Sequence, residues 1–236
     1  NDLILVVTNP PMLPLISVLV AKIKGAKCIV RIDDLYPEIL STTNLMSNKS
    51  LSYKFLNTMT KWFLVNADSV VVLGRDMQEK VRSKMYKNKE NVTIITNWAD
   101  VENLSPNPKS DNQLIEELKL QNKFILQWAG NMGFPHDIQT LIDAMEKLNP
   151  YEDIHFLIIG AGAKRPWLEK EAHKRNLTNV TFLNSLPRSE QQTFLNACDI
   201  GLSSLVAGMT GLAVPSRSYN ILAVGKPILS IGEPET

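Results

Sequence analysis

Cysteine and histidine are both scarce in this sequence. Two cysteines occur in 236 residues, Cys28 and Cys198, each inside an apolar run with no metal-ligating neighbour at useful spacing. That pattern excludes a disulfide framework and argues against a zinc site. The three histidines, His136, His155 and His173, are scattered and build neither a Ser-His-Asp set nor a metal-binding set, so no metal is expected. Long hydrophobic runs are missing too. The nearest, Met12 to Ile23, is interrupted by Pro14 and Lys22 and is too short to cross a bilayer. A large charge of one sign is also absent: 25 basic against 24 acidic residues leave +1, and no nucleic-acid partner is expected. The apolar (44%) and charged (21%) fractions exclude a disordered or fibrous chain. Such cysteine usage suits the cytoplasm, so the Asn-x-Ser/Thr triplets at Asn48, Asn91, Asn176 and Asn179 read as chance matches.

What charge there is divides unevenly. Residues 1–96 hold 13 Lys/Arg against 8 Asp/Glu, and residues 97–236 hold 12 against 16. A basic first half fits an anionic membrane surface or a lipid phosphate, with a solvated helix face as the bland alternative. The chain opens inside a strand-like segment and closes just after another, so it reads as a piece of a longer parent.

Apolar strand, polar turn and amphipathic helix then alternate along the chain. Strands are expected at Leu3–Thr8, Cys28–Ile32, Ser69–Leu73 and Val92–Thr96. A second set is expected at Phe124–Trp128, His155–Ile159, Val180–Leu183, Ile200–Ser203 and Pro227–Ile231. Near-continuous Val/Ile/Leu runs suit strands buried on both faces of a parallel sheet. Helical periods fall at Leu51–Val65, Asp76–Tyr86, Asp137–Leu148, Pro166–Asn176, Ser189–Ala197 and Ser216–Val224. This is the alternation of an α/β fold with doubly wound parallel sheets. The rhythm fails once, over the polar, proline-containing residues 97–112, which read as a linker. Residues 1–96 and 113–236 then form two domains, with a short helix at Ser110–Leu120 opening the second. Two such domains put a ligand cleft at the carboxyl ends of their sheets.

Four segments carry candidate chemistry. Gly130, Asn131 and Gly133 lie in a strand-to-helix turn with His136 just beyond, where glycine lets a backbone approach a phosphate or simply makes a tight turn. Ile159-Gly-Ala-Gly-Ala163 repeats the arrangement, as a second phosphate loop or, the favoured reading, as packing within the same sheet. Gly208 and Gly211 suggest a flexible loop leading to a helix that opens at Pro215 with Ser216 and Arg217. A hydroxyl and a guanidinium there would receive a diphosphate, and a cation opposing the helix dipole is otherwise unexplained. Gly225 suits the C-terminal cap of that helix. Asp33 and Asp34 follow a first-domain strand, either as site carboxylates or as a turn cap.

These segments stand in an order that resembles the retaining GT-B glycosyltransferases of family 4, most closely the bacterial O-antigen and capsule enzymes of the fucosamine-transferase type. The matching pieces are Thr8-Asn-Pro-Pro, Asp34-Leu-Tyr-Pro-Glu38, Ile95-Thr-Asn-Trp-Ala-Asp100, Ala129-Gly-Asn-Met-Gly133, Gly160-Ala-Gly162, Asn179-Val-Thr-Phe182 and Gly211 through Pro227. The resemblance implies two Rossmann-like domains, both incomplete in this chain, with the acceptor on the first and a UDP- or GDP-linked sugar on the second. It implies transfer of a hexosyl or N-acetylhexosaminyl group, with retention, to a saccharide or polyprenyl-diphosphate-linked acceptor. No metal is implied, and the place is the cytoplasm or the inner face of the plasma membrane. Asp33 and Asp34 become the catalytic candidates. Gly130, Asn131, Gly133, His136, Gly208, Gly211, Ser216, Arg217 and Asn220 become donor-binding candidates. The chain departs from the family where Asn220 replaces a glutamate and where Asn131 and His136 stand for an arginine and a lysine, which leaves Arg217 to carry the diphosphate charge. A sugar-nucleotide 2-epimerase of the same architecture, or a non-catalytic nucleotide-sugar-binding module, are the alternatives.

Overall fold

A computed structural model describes residues 2–234. The chain forms two compact units. One runs to Asn97 and takes in the later segment Val206–Val214 and Glu233; the other comprises Trp98–Leu205 and Pro215–Gly232.

The first unit alternates β1 (Leu3–Val7), α1 (Leu13–Lys24), β2 (Lys27–Ile32), α2 (Glu38–Thr42), α3 (Leu51–Asn66), β3 (Ser69–Val72), α4 (Arg75–Lys84) and β4 (Val92–Ile94). The four strands are parallel and lie in the order β1-β2-β3-β4, stepping in one direction as one half of a doubly wound sheet does. Val30, Ile32, Val70 and Val72 are fully buried in its two middle strands, and β-branched side chains fit that pleated, two-sided burial. The Ser50 side chain accepts a bond from the Tyr53 amide and opens α3.

The second unit follows with α5 (Gln113–Glu117), β5 (Phe124–Ala129), α6 (Ile138–Leu148), β6 (Ile154–Ile159), α7 (Arg165–Lys174), β7 (Val180–Leu183), α8 (Gln191–Asn196), β8 (Ile200–Ser204), α9 (Arg217–Ala223) and β9 (Ile228–Ile231). Its parallel sheet runs β7-β6-β5-β8-β9, so the strand order reverses between β5 and β8. That reversal is the switch point of a Rossmann sheet, outside which ligands bind. Trp128, Met132, Ile142, Met145, Phe156 and Ile158 make one side of its core, and burying each stabilises the unit by roughly 1.5–3 kcal/mol. The Asp137 carboxylate caps α6 by accepting from the Thr140 amide at 3.0 Å.

The nine strand segments expected from the sequence all form strands, with ends shifted by two residues at most. Two helices escape the periodicity. In α1 apolar residues occupy several faces and hide the stripe of buried Pro14, Val18 and Ala21, and α2 is too short to show a period. The polar stretch 97–112 is not a bare linker. Leu104 packs with Leu195 and Val224, and the Asn112 side chain caps α5 and bonds the Thr193 carbonyl. Few polar residues are thus enough to anchor an irregular segment when one leucine finds a core. The segment Val206–Val214 belongs with the first unit rather than the second.

Candidate functional site

The switch point of the second sheet brings together the turn after β5, the end of β8 and the start of α9. Trp128, 1% exposed, stands near the carboxyl end of β5. The Arg217 guanidinium lies over its ring, with Cζ 3.8 Å from the centroid, close enough for a cation–π contact. From there Nη2 of Arg217 donates to the Asn131 carbonyl at 2.8 Å and to Nε2 of His136 at 3.2 Å. On the far side of the imidazole, Nδ1 donates to the Ser204 carbonyl at 2.8 Å. This pair of partners requires the neutral ring, protonated at Nδ1. Trp128 meets the same imidazole edge-on, with centroids 5.0 Å apart.

The electrostatics follow from that enclosure. Burial pushes Arg217 down to about 10. Burial, then the Arg217 charge, pushes His136 down to about 4. Nη1 of Arg217 is buried with no hydrogen-bond partner, and among the described residues no carboxylate pairs with the guanidinium. A buried charge that lacks a counter-ion is costly, and an anion brought to it removes that cost.

The cation beside the dipole of α9, unexplained in the sequence, therefore has a local explanation in Trp128, Asn131 and His136. The helix itself contributes less than expected. It starts at Arg217 and spans seven residues, Pro215 stays outside it, and Ser216 makes no side-chain cap bond. Asn220 lies one turn further along α9. Gly225 does cap the end, at φ 67°.

The turn after β5 also differs from a free phosphate loop. The Gly130 and Met132 amides donate to the Ile159 and Ala161 carbonyls at 2.9 and 2.8 Å, so the Gly130 amide and one neighbouring turn amide are already used by the adjoining strand and loop. Gly130 takes φ 137°, which favours glycine, and a side chain there would meet Cζ of Arg217 at an ordinary contact distance of 3.6 Å. Gly133 has the Asn131 amide group close by. The second glycine segment closes on the first: a methyl at Gly162 would stand 2.5 Å from the Met132 amide nitrogen, and one at Gly160 would run into the Gly130 carbonyl. Those two glycines serve packing, as their position suggests.

Lys164 was not among the candidates. Its ammonium donates to the Phe134 carbonyl at 2.8 Å and the His136 carbonyl at 2.6 Å, bracing the loop that carries the imidazole. Trp128 was not singled out either. The only signal for both was adjacency to a glycine turn; the contacts join residues 8 to 89 positions apart.

In the first unit Asp33 accepts from Nε of Arg31 at 2.8 Å. The Thr8 hydroxyl accepts from the amides of Asp33 and Asp34 at 3.1 and 3.3 Å. The Asp34 carboxyl is raised by burial and then by the neighbouring Asp33 charge. Val206–Val214 docks here: Asp34 bridges Ala213, and the Leu35 amide donates to the Leu212 carbonyl at 2.8 Å. Gly208 and Gly211 sit in this segment, at φ 83° and 70°. It is not the flexible loop its glycines suggested. Met209 and Leu212 are buried, and a side chain at Gly211 would stand 2.7 Å from the Asp76 carbonyl on α4.

Comparison with known proteins adds four findings. The family model described as "Glycosyl transferases group 1" matches residues 109–233. WbjE of Pseudomonas aeruginosa, named as a probable glycosyltransferase, is 31% identical over 233 residues, covering 99% of this chain and 58% of that protein. WcaI of Escherichia coli (strain K12), named for colanic acid biosynthesis glycosyl transfer, is 29% identical over 212 residues, covering 88% and 51%. The chain thus spans a little over half the length of these relatives. Among solved structures, Anabaena HepE in complex with UDP-glucose superposes with a TM-score of 0.76 at 18% identity, covering 98% of this chain and 60% of that one; the likeness is one of GT-B fold.

Proposed function

The chain belongs to the group 1 glycosyltransferases, and from that premise we propose that its second unit holds the diphosphate of a nucleotide-sugar at Arg217. The observation that carries the reading is a guanidinium fixed by Trp128, Asn131 and His136 with, among the described residues, one buried nitrogen unpartnered and no carboxylate paired to it. Its position outside the β5/β8 switch point supports the same reading. Asn131, Gly133, Ser216 and Asn220 complete the donor pocket in this proposal. The donor is UDP- or GDP-linked; the HepE structures, solved with UDP and UDP-glucose, favour uridine.

Negative charge grows on the β-phosphate as the sugar–phosphate bond breaks. A preorganised guanidinium stabilises that leaving group more in the transition state than in the ground state. The acceptor hydroxyl oxygen bonds to the anomeric carbon on the face the phosphate leaves, as the sugar–phosphate bond breaks, and its proton passes to the departing phosphate, so configuration is retained. No metal is required in this reading, because Arg217 supplies the positive charge. Asp34, buried enough to have its carboxyl raised and without an ion pair among the described residues, is the acid we assign to an acceptor hydroxyl on the first unit. Asp33, engaged by Arg31, orients that segment. The acceptor is a saccharide or a polyprenyl-diphosphate-linked saccharide of a bacterial surface polysaccharide such as O-antigen or capsule. The names of WbjE and WcaI support transfer of this kind. A cytoplasmic protein resting on the inner face of the plasma membrane fits such an acceptor.

Calorimetric titration of UDP and GDP into the wild type and Arg217→Ala tests the donor site. One nucleotide should bind, and the variant should bind it about ten- to a hundredfold more weakly, the loss of a charge-assisted bond. Equal affinity in the two proteins refutes the assignment.

A further inference from the structure

From Ile39 to Ala67 the chain carries no acidic residue but three lysines, Lys49, Lys54 and Lys61. This stretch holds α3 and the loop before it. The inner side of α3 is anchored by Thr60, Phe63 and Leu64. Its outer side does the reverse of what a solvated helix face does. Leu51 and Phe55, one turn apart, are 83% and 60% exposed, and Leu45 in the preceding loop is 52% exposed. Lys54 and Lys61 lie on the same side by helical spacing, both exposed. Neither these two nor Lys49 forms an ion pair among the described residues. The helix packed against α3, α1, is also free of acids and ends in Lys22 and Lys24.

Large apolar side chains standing out of a lysine-bearing, acid-free helix face match an anionic bilayer. Phenylalanine and leucine enter the acyl boundary while ammonium groups remain at headgroup level. A protein interface is the poorer fit, since lysine is depleted there. We propose that the first two turns of α3, with the Leu45 loop, form the surface on which the chain rests on an anionic membrane. The proposal specifies the membrane part of the reading above and is independent of the donor site.

Co-sedimentation with large unilamellar vesicles tests it, using phosphatidylcholine alone and a 70:30 mixture with phosphatidylglycerol. The wild type should bind the anionic vesicles, less so as salt rises. Leu51→Ser/Phe55→Ser should bind them about tenfold more weakly. Lys49→Glu/Lys54→Glu/Lys61→Glu should abolish the preference for phosphatidylglycerol, at roughly fivefold per lysine. In Phe55→Trp, indole emission should shift to the blue when anionic vesicles are added. UDP titration and circular dichroism on the same variants should match the wild type, which separates this surface from the donor site and from misfolding. Absence of binding to anionic vesicles, equal binding by the Leu51/Phe55 variant, or a protein dimer that this variant dissociates would each overturn the proposal.

Discussion

Nη2 of Arg217 stands 3.2 Å from Nε2 of His136, and the imidazole accepts that bond because its other nitrogen is already committed to the Ser204 carbonyl. The two groups coexist only while His136 is neutral. A proton on Nε2 would remove the acceptor and set two cations against each other.

That relationship predicts an acid-sensitive fold. The folded value of His136 is about 4, below its usual 6.5. Its contribution to stability is therefore fully present above pH 6.5 and is lost as pH falls from 6.5 to 4, by up to about 3 kcal/mol. In His136→Gln, which has an acceptor but no titration, thermal midpoints measured across that window should fall less steeply than in the wild type. Parallel curves would show that the imidazole is not the sensitive group.

Trp128 supports both the core and the guanidinium. Trp128→Ala should cost about 3–5 kcal/mol in urea unfolding, as for other buried aromatics. Trp128→Phe keeps a ring face but a weaker one. It should remain folded and bind UDP only a few-fold more weakly; a variant that binds as the wild type does would remove the stacking contact from the donor site.

The glycines should separate by role. Gly162→Ala places a methyl against the Met132 backbone, at φ 134°, and should lower stability by at least about 1–3 kcal/mol and weaken UDP binding with it. Gly211→Ala meets the Asp76 carbonyl in the first unit. It should destabilise to a similar degree, read as increased proteolysis within residues 206–214.

Sugar transfer, if Arg217 carries the leaving-group charge, should survive excess chelator. Activity with a radiolabelled nucleotide-sugar and a saccharide acceptor should be unchanged by EDTA. Loss on chelation with recovery on added magnesium would refute the metal-free reading.

Much of the fold was legible because buried parallel strands announce themselves locally. Runs such as Val70-Val-Val and Phe156-Leu-Ile-Ile need no partner to be recognised. α1 was not, since Leu13–Ile23 is apolar on nearly every side and a period is visible only where polar residues interrupt it. The candidate site was legible in part. Gly130, His136 and Arg217 were each singled out by their place at strand ends and helix starts, and the structure gathers them. Trp128 and Lys164 were not, because what they do is defined by contacts across the sheet.

The doubly wound α/β pattern and the place of Arg217 at the start of a glycine-flanked helix could thus be read from the sequence alone, since period and order along the chain are one-dimensional properties; GT-B followed from the resemblance of its motifs. The tertiary structure decided how that charge is held. Which donors of the Gly130 turn are already used, which tautomer His136 adopts and that no carboxylate among the described residues pairs with Arg217 all depend on distances between residues far apart in the chain. No spacing in the sequence encodes them.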